Sequence, residues 1–240
     1  MTARAALAGA LSVALAAAPV AADCTRDAMI VFDGSASMGE RGFDGGTARR
    51  IDEARSALAR ALPAAEGLRR VGLLTYGPGP EGSCDSVRLR FAPVPNATAP
   101  ILEAIDRFQP LGMTPLTEAV RTAATALSPP ATIVLLTDGN DTCDGAPCAL
   151  GAALARDTPG LTVHVIGFGR TAETLAGDPL ARGRGLDEAQ IRCLADATGG
   201  LFAVAATVED LTAALTETLG CPLIGWNENT PALANRGVEF

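Results

Sequence analysis

Lysine is absent from all 240 positions, and histidine occurs once, as His164. Without a lysine, phosphoryl transfer onto Asp33 in the manner of aspartyl phosphatases is excluded, because that chemistry needs a lysine and a second aspartate where Ser35 stands. His164 lies between Val163 and Val165 inside an apolar run, so it reads as a packed strand residue. A Ser-His-Asp hydrolase therefore lacks a base in a loop, although Ser35-Ala36-Ser37-Met38-Gly39 is a near miss to a nucleophile elbow. Paired C-x-x-C knuckles are also missing, which with one histidine argues against zinc ligation by Cys and His. Basic residues are scarce, nineteen against twenty-seven acidic, for a net charge of −8. That balance repels nucleic-acid backbones and anionic lipid. Beyond the N-terminus, no run reaches the roughly 18–20 apolar residues of a membrane span.

What is present is ordinary globular material, 48% hydrophobic and long enough to bury one full core. Arg4 precedes an apolar stretch from Ala5 to Val20 that ends in Val20-Ala21-Ala22. This pattern predicts a signal peptide over residues 1–22, cut before Asp23, and hence a secreted or periplasmic protein. A retained anchor and a lipoprotein at Cys24 are the alternatives, the latter disfavoured by Asp23. Six cysteines remain after cleavage: Cys24, Cys84, Cys143, Cys148, Cys193 and Cys221. An even count in an exported chain predicts disulfides. Cys143 and Cys148 are expected to bridge locally across Asp144-Gly145-Ala146-Pro147. Cys24 and Cys221 can meet at one end of the domain, and Cys84 and Cys193 are left open to pair, swap or stay free.

Ala28-Met29-Ile30-Val31-Phe32, Val71 to Tyr76, Thr132 to Thr137, Leu161 to Phe168 and Leu201 to Val204 read as strands. Val87 to Val94 alternates and reads as an antiparallel edge strand. Helices are expected over Thr47–Leu62, with Ile51, Ala54, Leu58 and Leu62 on one face and Pro63 as stop, and over Ala99–Phe108. Further helices are expected from Thr114-Pro115 to about Leu127, with Thr114 as N-cap, and over Ala149–Arg156, Leu186–Thr198 and Val208–Leu219. The alternation predicts an α/β fold, a doubly wound, mostly parallel sheet with one antiparallel edge strand and helices on both faces. The domain is expected to span 23–221, followed by a tail over 222–240 that contains the only Trp.

Asp33-Gly34-Ser35-Ala36-Ser37 follows the first strand directly, at the sheet edge where open α/β folds bind ligands. With the chain still extended there, alternate residues would point the same way and gather one carboxylate and two hydroxyls. An all-oxygen cluster suits a hard divalent cation such as Mg²⁺. Thr114 in Leu111-Gly112-Met113-Thr114-Pro115-Leu116 and Asp138 in Leu135-Leu136-Thr137-Asp138-Gly139 occupy two more junctions. Together these elements resemble the von Willebrand factor A-type (VWA) domain and its metal-ion-dependent adhesion site (MIDAS), over roughly Ala28 to Leu219. The stretches Asp138 to Cys148 and Cys193 to Gly200 resemble exported bacterial members most.

The resemblance implies that Ser35, Ser37 and Thr114 are direct ligands of Mg²⁺, or of Ca²⁺ or Mn²⁺, while Asp33 and Asp138 supply charge. It further implies a non-enzymatic, metal-dependent protein-binding role, in which the ion coordinates an acidic side chain of a protein partner. Relatives also include members of multi-subunit and chelatase-like assemblies, so the fold does not name the partner. Two other readings are a serine-type hydrolase using the Ser35/Ser37 loop and a structural module with a vestigial site. Asn140, Asp141, Glu40 and Asp44 read as solvated loop residues, Asp141 being near enough to tune the rim.

Overall fold

The computed structural model describes residues 26–42, 47–80, 82–169 and 187–220. The expected signal peptide, Cys24, Asp44, Cys221 and the tail lie outside the described residues. Six strands form one sheet in the order β3-β2-β1-β4-β5-β6. They are β1 (Asp27–Asp33), β2 (Val71–Tyr76), β3 (Arg88–Val94), β4 (Ala131–Thr137), β5 (Leu161–Phe168) and β6 (Phe202–Ala205). All neighbours pair in parallel except β2 with β3, which is antiparallel and forms one edge.

The strands formed where the chain is apolar without interruption. β1 from Ala28 to Asp33 and the whole of β2 and β4 are buried, as strands covered on both faces must be. β3 differs: its alternation predicts one buried face, yet Leu89 is 44% exposed, and Phe91 and Val94 are only partly buried against the core, as befits an edge strand.

Helices α1 (Arg50–Ala61), α2 (Thr98–Asp106) and α6 (Val208–Leu219) cover one face, with Ile51, Leu58, Ile101, Ile105, Leu211 and Leu215 in a shared core. Helices α3 (Leu116–Thr125), α4 (Pro147–Asp157) and α5 (Glu188–Thr198) cover the other, through Leu116, Val120, Leu150, Leu154, Ile191 and Leu194. Each large side chain so buried stabilises the fold by about 1.5–3 kcal/mol.

Several limits differ from expectation: α2 ends at Asp106, short of Phe108, α4 starts at Pro147, before Ala149, and α1 and α3 depart for visible reasons. α1 begins at Arg50, because Arg41 and Arg49 form a β-bridge that holds Arg49 extended. It ends at Ala61, and Pro63 sits within a following 3₁₀ turn, Leu62–Ala65. α3 begins at Leu116, not at Pro115, whose ψ of 56° is outside the helical range, so Thr114 is not its N-cap.

β1 pairs in parallel with both β2 and β4, and successive strands are added outward from β1 on one side and from β4 on the other. The crevice at the carboxyl ends of β1 and β4 is the topological switch point, where open α/β sheets place ligands.

Candidate metal centre

Three loops meet backbone to backbone at this crevice. The Gly34 amide donates to the Tyr76 carbonyl (2.8 Å), Ala36 to Gly112 (3.1 Å) and Leu111 to Gly34 (3.2 Å). The approach is so close that side chains are excluded at two positions. A Cβ on Gly77, at φ +100°, would lie 2.1 Å from the Ser35 nitrogen, and one on Gly112, at φ +86°, would lie 2.2 Å from the Gly77 carbonyl oxygen.

On this platform stand the polar side chains. β1 ends at Asp33, which is fully buried. One carboxylate oxygen accepts the Ser35 amide (2.8 Å), and the other accepts the Tyr76 hydroxyl (2.9 Å) and the Thr137 hydroxyl (2.7 Å). The chain then leaves the extended conformation. Residues Ala36–Gly39 form a 3₁₀ turn with Ser35 at its start, so the serines are brought together by a turn and not by alternation along a strand. Their hydroxyl oxygens lie 3.1 Å apart. Ser37 Oγ donates to Asp138 Oδ1 (2.7 Å), and Arg50 Nη1 donates to Asp138 Oδ2 (2.9 Å). Four of the five expected site residues are thus linked through hydrogen bonds.

Thr114 is the fifth. It is buried, and its loop is tied to the serine loop through Gly112 and Leu111. Its own backbone is clasped by Thr142, whose Oγ1 accepts the Thr114 amide (2.8 Å) and whose amide donates to the Thr114 carbonyl (3.0 Å). No hydrogen bond joins its hydroxyl to the other four among the described residues.

Asp141 is more than a solvated loop residue. It accepts the amides of Thr117, Cys143 and Gly145 at 2.7, 2.8 and 3.0 Å, so it caps α3 from across the crevice and folds the loop after β4. Burial raises its pKa, but these bonds outweigh it and hold the carboxyl below its ordinary range. That loop also overturns the expected local bridge between Cys143 and Cys148. Cys143 pairs with Cys84, in the loop after β2, and Cys148 pairs with Cys193 on α5. The physical reason is packing: Gly151 lets α4 approach α5 closely, bringing Cys148 in its first turn to Cys193, while the Asp141 loop turns Cys143 toward the β2 side.

The electrostatics are those of crowded, dry carboxylates. Burial raises the Asp33 pKa against the opposing bonds from Ser35, Thr137 and Tyr76. Burial, with the charge of Asp33 added, pushes Asp138 up to about 7 despite Arg50. Burial and the neighbouring Asp33 likewise raise the Tyr76 hydroxyl, keeping it a donor. A cation set against the exposed side of Ser37 would relieve this repulsion, and the hydroxyl and carboxylate oxygens are the donors a hard divalent ion takes. The donor set therefore fits such an ion. Among the described residues, no group of three or more His, Cys, Asp and Glu could hold a metal, so any site here must draw on hydroxyls.

Sequence reasoning missed Tyr76, Thr137 and Arg50. Tyr76 and Thr137 carried a readable signal, since each is the last residue of a buried strand at the same sheet edge as Asp33. Arg50 carried none: an arginine on an amphipathic helix reads as solvated.

Residues 28–140, from the first buried residue of β1 past Asp138, match the model of the von Willebrand factor type A domain. Over that stretch the chain is similar to the von Willebrand factor type A domain. Solved structures share its fold. A von Willebrand factor type A protein from Catenulispora acidiphila is 21% identical with a TM-score of 0.59, over 81% of this chain and 42% of that one. Proximal thread matrix protein 1 from the mussel byssus is 17% identical with a TM-score of 0.57, over 82% and 46%. The PilB minor pilin from Streptococcus sanguinis is 20% identical with a TM-score of 0.57, over 84% and 62%. The chain thus spans less than two thirds of the length of each of these three. The mussel protein also has a structure with a zinc-occupied MIDAS motif, 16% identical with a TM-score of 0.56. No curated protein matches the sequence.

Proposed function

We propose that this A-type domain is a secreted or periplasmic protein-binding module that holds a divalent cation at Ser35, Ser37 and Thr114, with Asp33 and Asp138 balancing its charge, and docks an acidic side chain of a protein partner there. The observation that carries this reading is the run of oxygens from Ser35 Oγ through Ser37 Oγ to Asp138 Oδ1, spaced 3.1 and 2.7 Å, at the open end of two desolvated carboxylates. Mg²⁺ is the expected ion, with Ca²⁺ or Mn²⁺ as substitutes; when bound, it supplies an electropositive position that a partner carboxylate can fill. The zinc-occupied MIDAS of the mussel protein supports a divalent ion at a site of this kind.

The chain's own residues do the positioning. Tyr76 and Thr137 fix the Asp33 carboxylate, and the glycine contacts fix the serine loop. Export is supported by two disulfides and by likeness to a pilin, and no helix among the described residues is long and apolar enough to cross a membrane. The reading is non-catalytic. Its support is that His164 Nδ1, in β5, accepts the Leu201 amide (2.8 Å), and burial pushes the ring's pKa down to about 4.

Thermal unfolding with Mg²⁺, Ca²⁺ or Mn²⁺ against EDTA tests the site. An ion at a hundred times its Kd adds about 2.7 kcal/mol of stability, and Ser35→Ala with Ser37→Ala is expected to abolish that gain while the EDTA-treated fold persists. Equal melting with and without ions removes the metal from the account. Esterase turnover that disappears in Ser37→Ala would install the hydrolase reading instead.

A further inference from the structure

Arg50, the first residue of α1, places a guanidinium behind the site. The residue is 8% exposed. Nη1 donates to Asp138 Oδ2 (2.9 Å) and to the Ser37 carbonyl (3.4 Å), and Nη2 meets Glu40 Oε2 (3.2 Å). Its Nε is buried with no hydrogen-bond partner and faces Gly169, where a Cβ would lie 3.2 Å away. Asp138 is consequently split between two neighbours, one oxygen on the serine side and the other on the guanidinium. A buried donor held without a partner costs stability, so the fold keeps this cation at some expense.

Asp33 and Asp138 are both buried, whereas the side chain of Glu40 is 53% exposed and screened by water. A divalent ion favours the ionised form of both carboxylates, and two carboxylates with one guanidinium then sum to one negative charge. The ion turns that into one positive charge, which a single carboxylate from a partner cancels. With a neutral residue at position 50, the ion would bring the group to zero and its pull on an anion would weaken.

We propose that Arg50 is a fixed internal cation that weakens the hold on the divalent ion and leaves the loaded site with a surplus positive charge, selecting a singly charged carboxylate as the partner group. This rests on the metal-binding reading above and specifies how that site discriminates.

The test compares wild type, Arg50→Gln, Arg50→Lys and Glu40→Gln in the full chain. Mn²⁺ affinity is measured by calorimetry, and acetate binding to the Mn²⁺-loaded protein by the fall in water-proton relaxation. Arg50→Gln is expected to bind Mn²⁺ roughly tenfold more tightly, as removal of a like charge at this range implies, and acetate several-fold more weakly. Arg50→Lys restores both values, which a purely structural role for the planar guanidinium would not allow. Glu40→Gln removes a screened charge that pairs with Arg50, so it moves both affinities the opposite way by a smaller factor, and it keeps the proposal testable should Arg50→Gln not fold. Equal Mn²⁺ affinities in all four proteins overturn the inference and leave the metal site standing, as does a joint loss of affinity in both Arg50 variants. Absence of Mn²⁺ binding in wild type brings down the site and the inference together.

Discussion

Tyr76 and Thr137 show how a carboxylate is made to keep one orientation inside a sheet. Both hydroxyls point at one oxygen of Asp33, leaving the other for the Ser35 amide. Tyr76→Phe removes a buried bond to a charged group and is expected to cost about 1.5–3 kcal/mol in urea unfolding and to weaken ion binding, since Asp33 is then held by fewer donors. His164 gives a separate prediction at the same scale. Burial, aided by the charge of Arg69, depresses its pKa to about 4 from an ordinary value of 6.5. The unfolded chain takes up a proton below pH 6.5 that the folded one refuses until about 4, so this contribution to stability is intact above pH 6.5 and lost as pH falls. His164→Asn, which retains an acceptor for the Leu201 amide, is expected to melt with a shallower decline between pH 6.5 and 4 than wild type. Residues were legible in proportion to how unusual their setting is. Asp33, Ser35, Ser37 and Asp138 announce themselves by following buried apolar runs. Arg50 does not, because helix periodicity cannot tell a guanidinium turned inward from one in water.

Elements were most legible where burial is continuous. β2, β5 and α6 have the limits that their apolar patterns predict, since a strand covered on both faces or a helix with one apolar stripe has little freedom to shift. Helix starts were less so. α1 and α3 are set by contacts from elsewhere, the Arg41–Arg49 bridge and the Asp141 cap, which adjacent residues do not encode. Disulfide pairing failed for the same reason: proximity along the chain favoured Cys143 with Cys148, whereas proximity in space joined each to a different element. The two observed bridges are expected to act differently. Cys148→Ser with Cys193→Ser unties α4 from α5, away from the ligands, and should cost about 2–4 kcal/mol with ion affinity retained. Cys84→Ser with Cys143→Ser frees the loops after β2 and β4, so calorimetry should show a weaker ion as well as a less stable fold. Gly112→Ala is expected to be worse than either for binding, because its Cβ meets the Gly77 carbonyl and pushes the Thr114 loop off the serine loop.

At the scale of the molecule, fold class was legible because the order of strands and helices admits few topologies, and right-handed crossovers leave fewer. The strand order puts β1 in the centre beside β4, although Ser37 and Asp138 are 101 residues apart along the chain. No short fragment can therefore gather these oxygens. The polymer must close a very long loop before a cation finds more than scattered carboxylates, so the ion has almost nothing to grip during most of the search for the native state. Stopped-flow chevrons should reveal this as a slower unfolding limb in Mg²⁺ and a refolding limb that barely moves. The cation would then act as a late lock on a finished chain, extending the lifetime of the folded state without hastening its arrival.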